Sequence, residues 1–341
     1  MDHTPPVFDL HCDTADRLAW QSLPDGLRGA CGRDFYGPGD ERDPQGCREL
    51  AHNHGHISLE AIGETPWAQC FACFVPDELS PEQAVRFQEH VAGHLGREVA
   101  RNAGAVALVR HASEIRPALE AGQVAAVQTI ENARLFAADP GLVGRLAERG
   151  LLMASLSWNA AGPLASGHDT HEGLSATGAA TLAEMERAGV ILDVSHLNDE
   201  GFDDVCARAT RPFVASHSNS RAVCGHPRNL TDRQFEEIRD RGGLVGLNFC
   251  TGFLVEGAWD ERGREVSFDE VAAHVEHWLD LGGEDVVALG SDFDGTSVPA
   301  LLDGAQAIPA FQGLLARRFG EGLCARLCAG NALAFFEREG H

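Results

Sequence analysis

The sequence predicts an α/β fold, a (β/α)₈ TIM-type barrel with extra N-terminal loops and a C-terminal helical addition. Three observations carry that prediction. Eight short apolar, β-branched runs recur along the 341 residues. Amphipathic helical stretches separate most of them. Polar side chains able to do chemistry gather at the C-terminal ends of the runs, which is where such barrels place their sites. Near-continuous apolar strands alternating with helices imply a parallel sheet covered by helices. An open doubly wound sheet needs fewer strands and leaves the polar strand ends unexplained.

In chain order, "VFDLHCD" (7–13) is the first strand, and residues 24–60 read as an insertion before the second, "WAQCFACFV" (67–75). A long helix follows with Ser80 as its N-cap, because the Ser80 hydroxyl can accept an unpaired N–H of the first turn. Residues 104–122 add a short extra strand and helix before the third barrel strand, "QVAAVQTIE" (123–131). The fourth is "LLMASLSWN" (151–159), the fifth "VILDVSH" (190–196) and the sixth "PFVASHS" (212–218). "GLVGLNF" (243–249) and "DVVALGSDFD" (285–294) complete the eight. The intervening helices open with Ser, Thr or Asn and several close with Gly, the expected start and stop signals. The tail from about residue 304 is a helical addition. No linker, repeat or low-complexity segment interrupts the chain, so one domain over 1–341 is expected.

Composition narrows the function. A formal net charge of −24 argues against nucleic acid or an anionic membrane as partner, because phosphates are repelled. The basic residues are all arginine, which excludes Schiff-base chemistry, a P-loop lysine and a metal site bridged by a modified lysine. The start "MDHTPPVFDL" lacks the basic and apolar regions of a signal peptide, and no run is long enough to span a bilayer. The ten cysteines are not needed as staples in a chain this long. Cys70 and Cys73 read as part of a buried strand, and a reduced, cytoplasmic protein is the expectation. A homodimer is compatible with the sequence.

The strand ends concentrate the chemistry. His11 and Asp13 alternate with Cys12, so the first two share a face and Cys12 packs between barrel and helices. Glu131 ends the third strand, His196 the fifth, His217 the sixth, and Asp292 and Asp294 the eighth. A single His or Asp at a strand end is commonly a cap or a loop hydrogen-bonder; convergence of this many at one rim points to a metal site. Histidines with carboxylates suit Zn²⁺ or a similar divalent ion, and a bridging Glu suits a pair. Other histidines read differently. "HNHGH" (52–56) is expected to be a solvated loop, His274 and His277 to border solvent, and His168 and His171 to lie near the rim.

The motifs "DLHCDT", "TIENA", "DVSHL", "VASHSNSRAVCGHPRNLTD", "GLVGLNF" and "LGSDFDGT" resemble the membrane (renal) dipeptidase family of binuclear zinc metallopeptidases, within the amidohydrolase superfamily. The resemblance covers most of the chain. It implies that His11 and Asp13 bind one metal, His196 and His217 the other, and Glu131 both. It makes Asp292 the acid–base group and Arg228 the grip on the substrate carboxylate, with two divalent ions, best matched by Zn²⁺, activating a shared water. Dipeptides are then the substrates. N-acyl amino acids or lactams are the alternative, with a metal-dependent decarboxylation behind them. One position departs from the pattern: relatives carry a His after the fourth strand that contacts the scissile group. Here Trp158 and Asn159 stand there, as expected substrate contacts.

Overall fold

The computed structural model describes residues 5–36, 48–258 and 265–340. The expected insertion at 24–60 therefore lies partly outside the described residues. Among the described residues nine strands form: β1 (Val7–Cys12), β2 (Trp67–Phe74), β3 (Val106–Val109), β4 (Val124–Glu131), β5 (Leu151–Ser155), β6 (Ile191–Asp193), β7 (Val214–Ala215), β8 (Leu244–Leu247) and β9 (Val287–Leu289). The order β2-β1-β9-β8-β7-β6-β5-β4 closes on itself through β2–β4, a parallel eight-stranded barrel. The ninth strand, β3, stays outside the ring. It pairs with the first half of β4, Val124–Val127, while β5 takes Gln128–Ile130 on the same edge. Among the described residues no helix is long and apolar enough to cross a membrane.

Two apolar layers hold the barrel. The inner one gathers a side chain from every barrel strand, among them Phe8, Ala68, Val127, Met153, Ile191, Val214, Leu244 and Ala288, and joins them to Leu333 and Phe336 of the final helix. The outer one packs the strands on helices through residues such as Phe71, Phe87 and Trp278. Helices start where their caps predict. Ser80, Thr231 and Ser267 each make a reciprocal capping box. Cys70 belongs to the inner layer and Cys73 to the outer, so this pair cannot share a metal or a bond.

Several strands stop short of the expected ends. His196 and Asp292 lie beyond β6 and β9 with φ of 73° and 61°, and Asn132 and Asp294 are left-handed too. An L residue rarely adopts that conformation, and His196 and Asp292 take it three residues past the last paired residue of each strand, in the turns that line the mouth. The first strand holds a second irregularity. Asp9 pairs with Gln69 but Cys12 pairs with Phe71, three steps on β1 against two on β2. That bulge changes the phase of the strand. Phe8 and Leu10 face inward and Cys12 outward, so the extra residue is what turns His11 and then Asp13 into the mouth.

Two expectations about histidines are corrected. His56 of "HNHGH" is buried, not solvated, while His52 and His54 are exposed. Its Nδ1 accepts the Asp294 N–H at 2.8 Å and its ring stacks on Phe293. His274 is fully buried, whereas His277 is partly exposed and pairs with Asp232. His274 Nδ1 accepts the Ser220 N–H at 3.1 Å and Nε2–H donates to the Leu254 carbonyl at 3.0 Å, a pattern that fits only the neutral ring. Burial lowers its pKa from 6.5 to about 4. The unfolded chain therefore binds more protons between those values, and stability falls as pH falls through that window. Denaturant titrations should show native protein losing roughly 2–3 kcal/mol more than His274→Gln between pH 7 and pH 4. Parallel pH curves for the two proteins would refute this.

Candidate metal centre

At the C-terminal mouth of the barrel the structure brings together His11, Asp13, Glu131, His196, His217 and Asp292. They form three overlapping trios whose ligand atoms lie within 4.8 Å of one another: His11–Asp13–Glu131, Glu131–His196–His217 and His11–His217–Asp292. All six are buried. Glu131 lies between the first two trios, with Oε2 3.2 Å from His11 Nε2 and Oε1 2.8 Å from His196 Nε2.

The ring orientations are fixed from behind. His217 Nδ1–H donates to Ser216 Oγ at 2.6 Å, and Ser216 Oγ donates in turn to Asp193 Oδ2 at 2.5 Å. His196 Nδ1–H donates to Asn159 Oδ1 at 3.0 Å. Both rings then present a bare Nε2 lone pair, and the two Nε2 atoms stand 3.0 Å apart beside a carboxylate. Two lone pairs at that distance repel unless a cation lies between or beside them. His11 Nε2 and Asp13 Oδ1 are also buried without a hydrogen-bond partner, a cost that coordination removes. The donor set therefore fits divalent ions of the N/O-loving kind.

Electrostatics agree. Burial opposes charge on Glu131, yet its place between the imidazoles of His196 and His11 holds it well below the usual carboxylate range. Burial and Arg228 bring His196 down to about 4, and burial with His11 lowers His217. Both are neutral ligands at pH 7. Burial also opposes charge on His11, but Asp13 and Glu131 raise its pKa well above the ordinary value, so a proton supplies the positive charge that a metal would bring. Asp292 is pushed up to about 7 by burial, with Asp13 and Glu131 adding to it. The Asn248 amide donates to its Oδ2 at 3.1 Å. Asp294 does not join the centre. Thr14, His56 and Arg17 hold it to the rim, and these partners overcome burial to keep it at about 2.

Above these groups opens a cavity of about 300 Å³, lined by Asp13, Glu131, His196 and Asp292 together with Trp158, Asn159 and His168. Trp158 packs edge-on against Phe74 at 4.8 Å. Asn159 reaches the cavity, but its carboxamide oxygen is committed to His196. His168 is nearly buried with an unpartnered Nδ1, and its ring lies 6.1 Å from that of His196. His171 is exposed instead. Arg228 is buried; Nη1 donates to Ser218 Oγ at 2.6 Å, while Nε and Nη2 have no partner. Gly295 is a site residue of another kind: a Cβ there would lie 1.9 Å from Asp13 Oδ2 and 2.5 Å from Asp292 Oδ1. Asp193, Ser216, Asn248 and Gly295 were not anticipated from sequence. Asp193 and Ser216 had a legible signal, as polar residues in apolar runs three and one positions before a ligand. Asn248 and Gly295 had none.

Residues 2–339 match the family model for membrane dipeptidase, peptidase family M19. The chain is similar to a metallopeptidase from Rhodobacter sphaeroides, solved with a phosphinate mimic of the dipeptide L-Ala-D-Ala, at 32% identity and a TM-score of 0.84 over 98% of this chain and 99% of that one. It is equally similar to dipeptidase AC, a metallopeptidase of family M19, at 33% identity, a TM-score of 0.84 and 99% of both chains. A protein encoded in the pqqA 5′ region of Klebsiella pneumoniae is 36% identical over 62% of this chain and 80% of its own length.

Proposed function

The chain belongs to peptidase family M19, the membrane dipeptidases, and is a metallodipeptidase; from that premise we propose which residues do the work, on which substrates, and with what metal. His11 and Asp13 would hold one divalent ion and His196 and His217 a second, with Glu131 shared between them. Zinc is the best match to imidazole and carboxylate donors. The observation that carries this reading is the pair of facing Nε2 lone pairs beside Glu131. The bound ions supply Lewis-acid polarisation of the peptide carbonyl and a water acidified toward neutral pH.

The protein's own groups do the rest. Asp292, buried at the mouth beside His11 and His217, takes the proton of the attacking water and passes it to the leaving amine. Asn248 holds its carboxylate in place from behind. Arg228, with two donors unpartnered, takes the free carboxylate of the C-terminal residue by a forked contact. That requirement favours dipeptides over longer chains. His168 offers a neutral imidazole to the substrate from the cavity wall; burial, with His196 and Arg228, lowers it to about 2. Nine described cysteines without a disulfide support a reducing, cytoplasmic setting.

Protein purified without chelators from zinc-supplemented medium should carry about two divalent ions per chain by elemental analysis. His217→Ala should lose at least one of them, together with activity on dipeptides. Full metal content in that variant would remove His217 from the ligand set, and a metal-free native protein would end the binuclear reading. The same preparation assayed on dipeptides and on N-acyl amino acids separates the two substrate classes.

A further inference from the structure

Across the barrel mouth from Arg228, which reaches the cavity only behind Phe253, Arg33 gives the cavity wall a basic group of its own. In the ring of eight strands β2 stands four places from β7. Arg228 comes from the loop after β7, whereas Phe74 ends β2 and Arg33 and Phe35 come from the loop after β1. Phe35, Phe74 and Trp158 form an aromatic wall, with ring centroids 5.3 Å apart for Phe35–Phe74 and 6.3 Å for Phe35–Trp158. The Arg33 guanidinium lies over two of these rings, 4.3 Å from Phe35 and 5.3 Å from Trp158. All four residues line the cavity that also holds Asp13, Glu131 and Asp292.

Stacking uses the faces of a guanidinium and leaves its N–H edge available to an acceptor in the same plane. Among the described residues no carboxylate takes that edge. The adjacent Asp34 is engaged by the Trp20 indole instead. In a chain with 51 acidic and 27 basic residues, an arginine at the mouth of the site also offsets a field that would otherwise repel an anionic substrate.

These positions set the direction of the substrate, on the dipeptidase reading above. With its C-terminal carboxylate at Arg228 and its peptide bond over the metal groups, the substrate's N-terminal residue extends toward Phe35, Phe74 and Trp158. Its methylenes lie on the rings and its side-chain end meets Arg33. We propose that the enzyme prefers dipeptides whose N-terminal residue is acidic, with Arg33 as the residue that selects for the side-chain carboxylate.

The test is kcat/KM for L-Glu-D-Ala, L-Gln-D-Ala and L-Leu-D-Ala with native holoenzyme and with Arg33→Gln. The Glu and Gln substrates differ in charge and hardly in shape, so their ratio within each protein reports the selection whatever the variant does to absolute rates. Native enzyme should favour Glu over Gln by roughly 5–30-fold, and added salt should shrink the preference. In Arg33→Gln the ratio should fall to about one or below. A native ratio near one, or a ratio that survives the substitution, overturns the proposal and leaves Arg33 as a lid over apolar side chains. Efficient cleavage of L-Leu-D-Ala alone also sinks it while sparing the dipeptidase reading. Failure on all three dipeptides with full metal content sinks both.

Discussion

Asp292→Asn should lower kcat by roughly 10²–10⁴-fold, the span that a positioned proton-transfer group contributes, with fold and metal content nearly unchanged. The carboxamide is close in shape to the carboxylate but cannot accept and return a proton. Position 292 has φ of 61°, a conformation that Asn tolerates as well as Asp, so the turn survives the substitution. Asn248 can reorient to meet the new group. Circular dichroism and elemental analysis establish that the variant is folded and loaded, and steady-state kinetics then read the loss. Turnover within a few-fold of native would remove Asp292 from the acid–base role. Asp294 is no substitute: Thr14, His56 and Arg17 already occupy its oxygens.

Arg228→Ala should lower kcat/KM for a free dipeptide by roughly ten- to a hundredfold, the equivalent of a charge-assisted contact of about 1.5–3 kcal/mol. The expectation rests on a buried guanidinium with two unpartnered nitrogens and no carboxylate partner among the described residues, so it is not a loop salt bridge. A substrate whose C-terminal carboxyl is capped as an amide never makes this contact, and its already low rate should hardly change. The informative quantity is the free-to-capped ratio in each protein. Equal losses on both substrates would mean general damage to the cavity. Arg228→Lys should recover only part of the ratio, because an ammonium cannot make the forked contact.

Much of the centre was legible because topology does the gathering. In a parallel barrel every strand delivers its C-terminal end to one mouth, so Glu131, His196, His217 and Asp292 meet there although more than a hundred residues separate some of them. Strand count, strand order and the donor set follow from local patterns that each segment carries by itself. The extra strand of residues 104–122 was legible for the same reason. The shortened ends of β6 and β9 were not, since nothing in a strand-like run announces that His196 or Asp292 will turn left-handed.

What the sequence by itself determined is the barrel and the residues that converge at its mouth. Tertiary structure alone decided how those residues are aimed and supported. Alternation told that His11 and Asp13 share a face, but which face depends on the bulge, and the bulge exists only in the register of β1 against β2. Asn159 reads from sequence as a substrate contact, and only the fold adds that its oxygen also holds His196 across 37 residues of chain. His56 reads as solvated from the polar stretch it ends, and His274 from its three-residue spacing to His277 on a helix; they are buried by Asp294 and Phe293 in one case and by Ser220 and Leu254 in the other. Arg33 had no distinction in its own segment and gains one only beside Trp158. The physical reason is the same throughout: periodicity and propensity are properties of a few adjacent residues, whereas burial, hydrogen-bond partners and pKa are set by atoms that the fold brings from elsewhere in the chain.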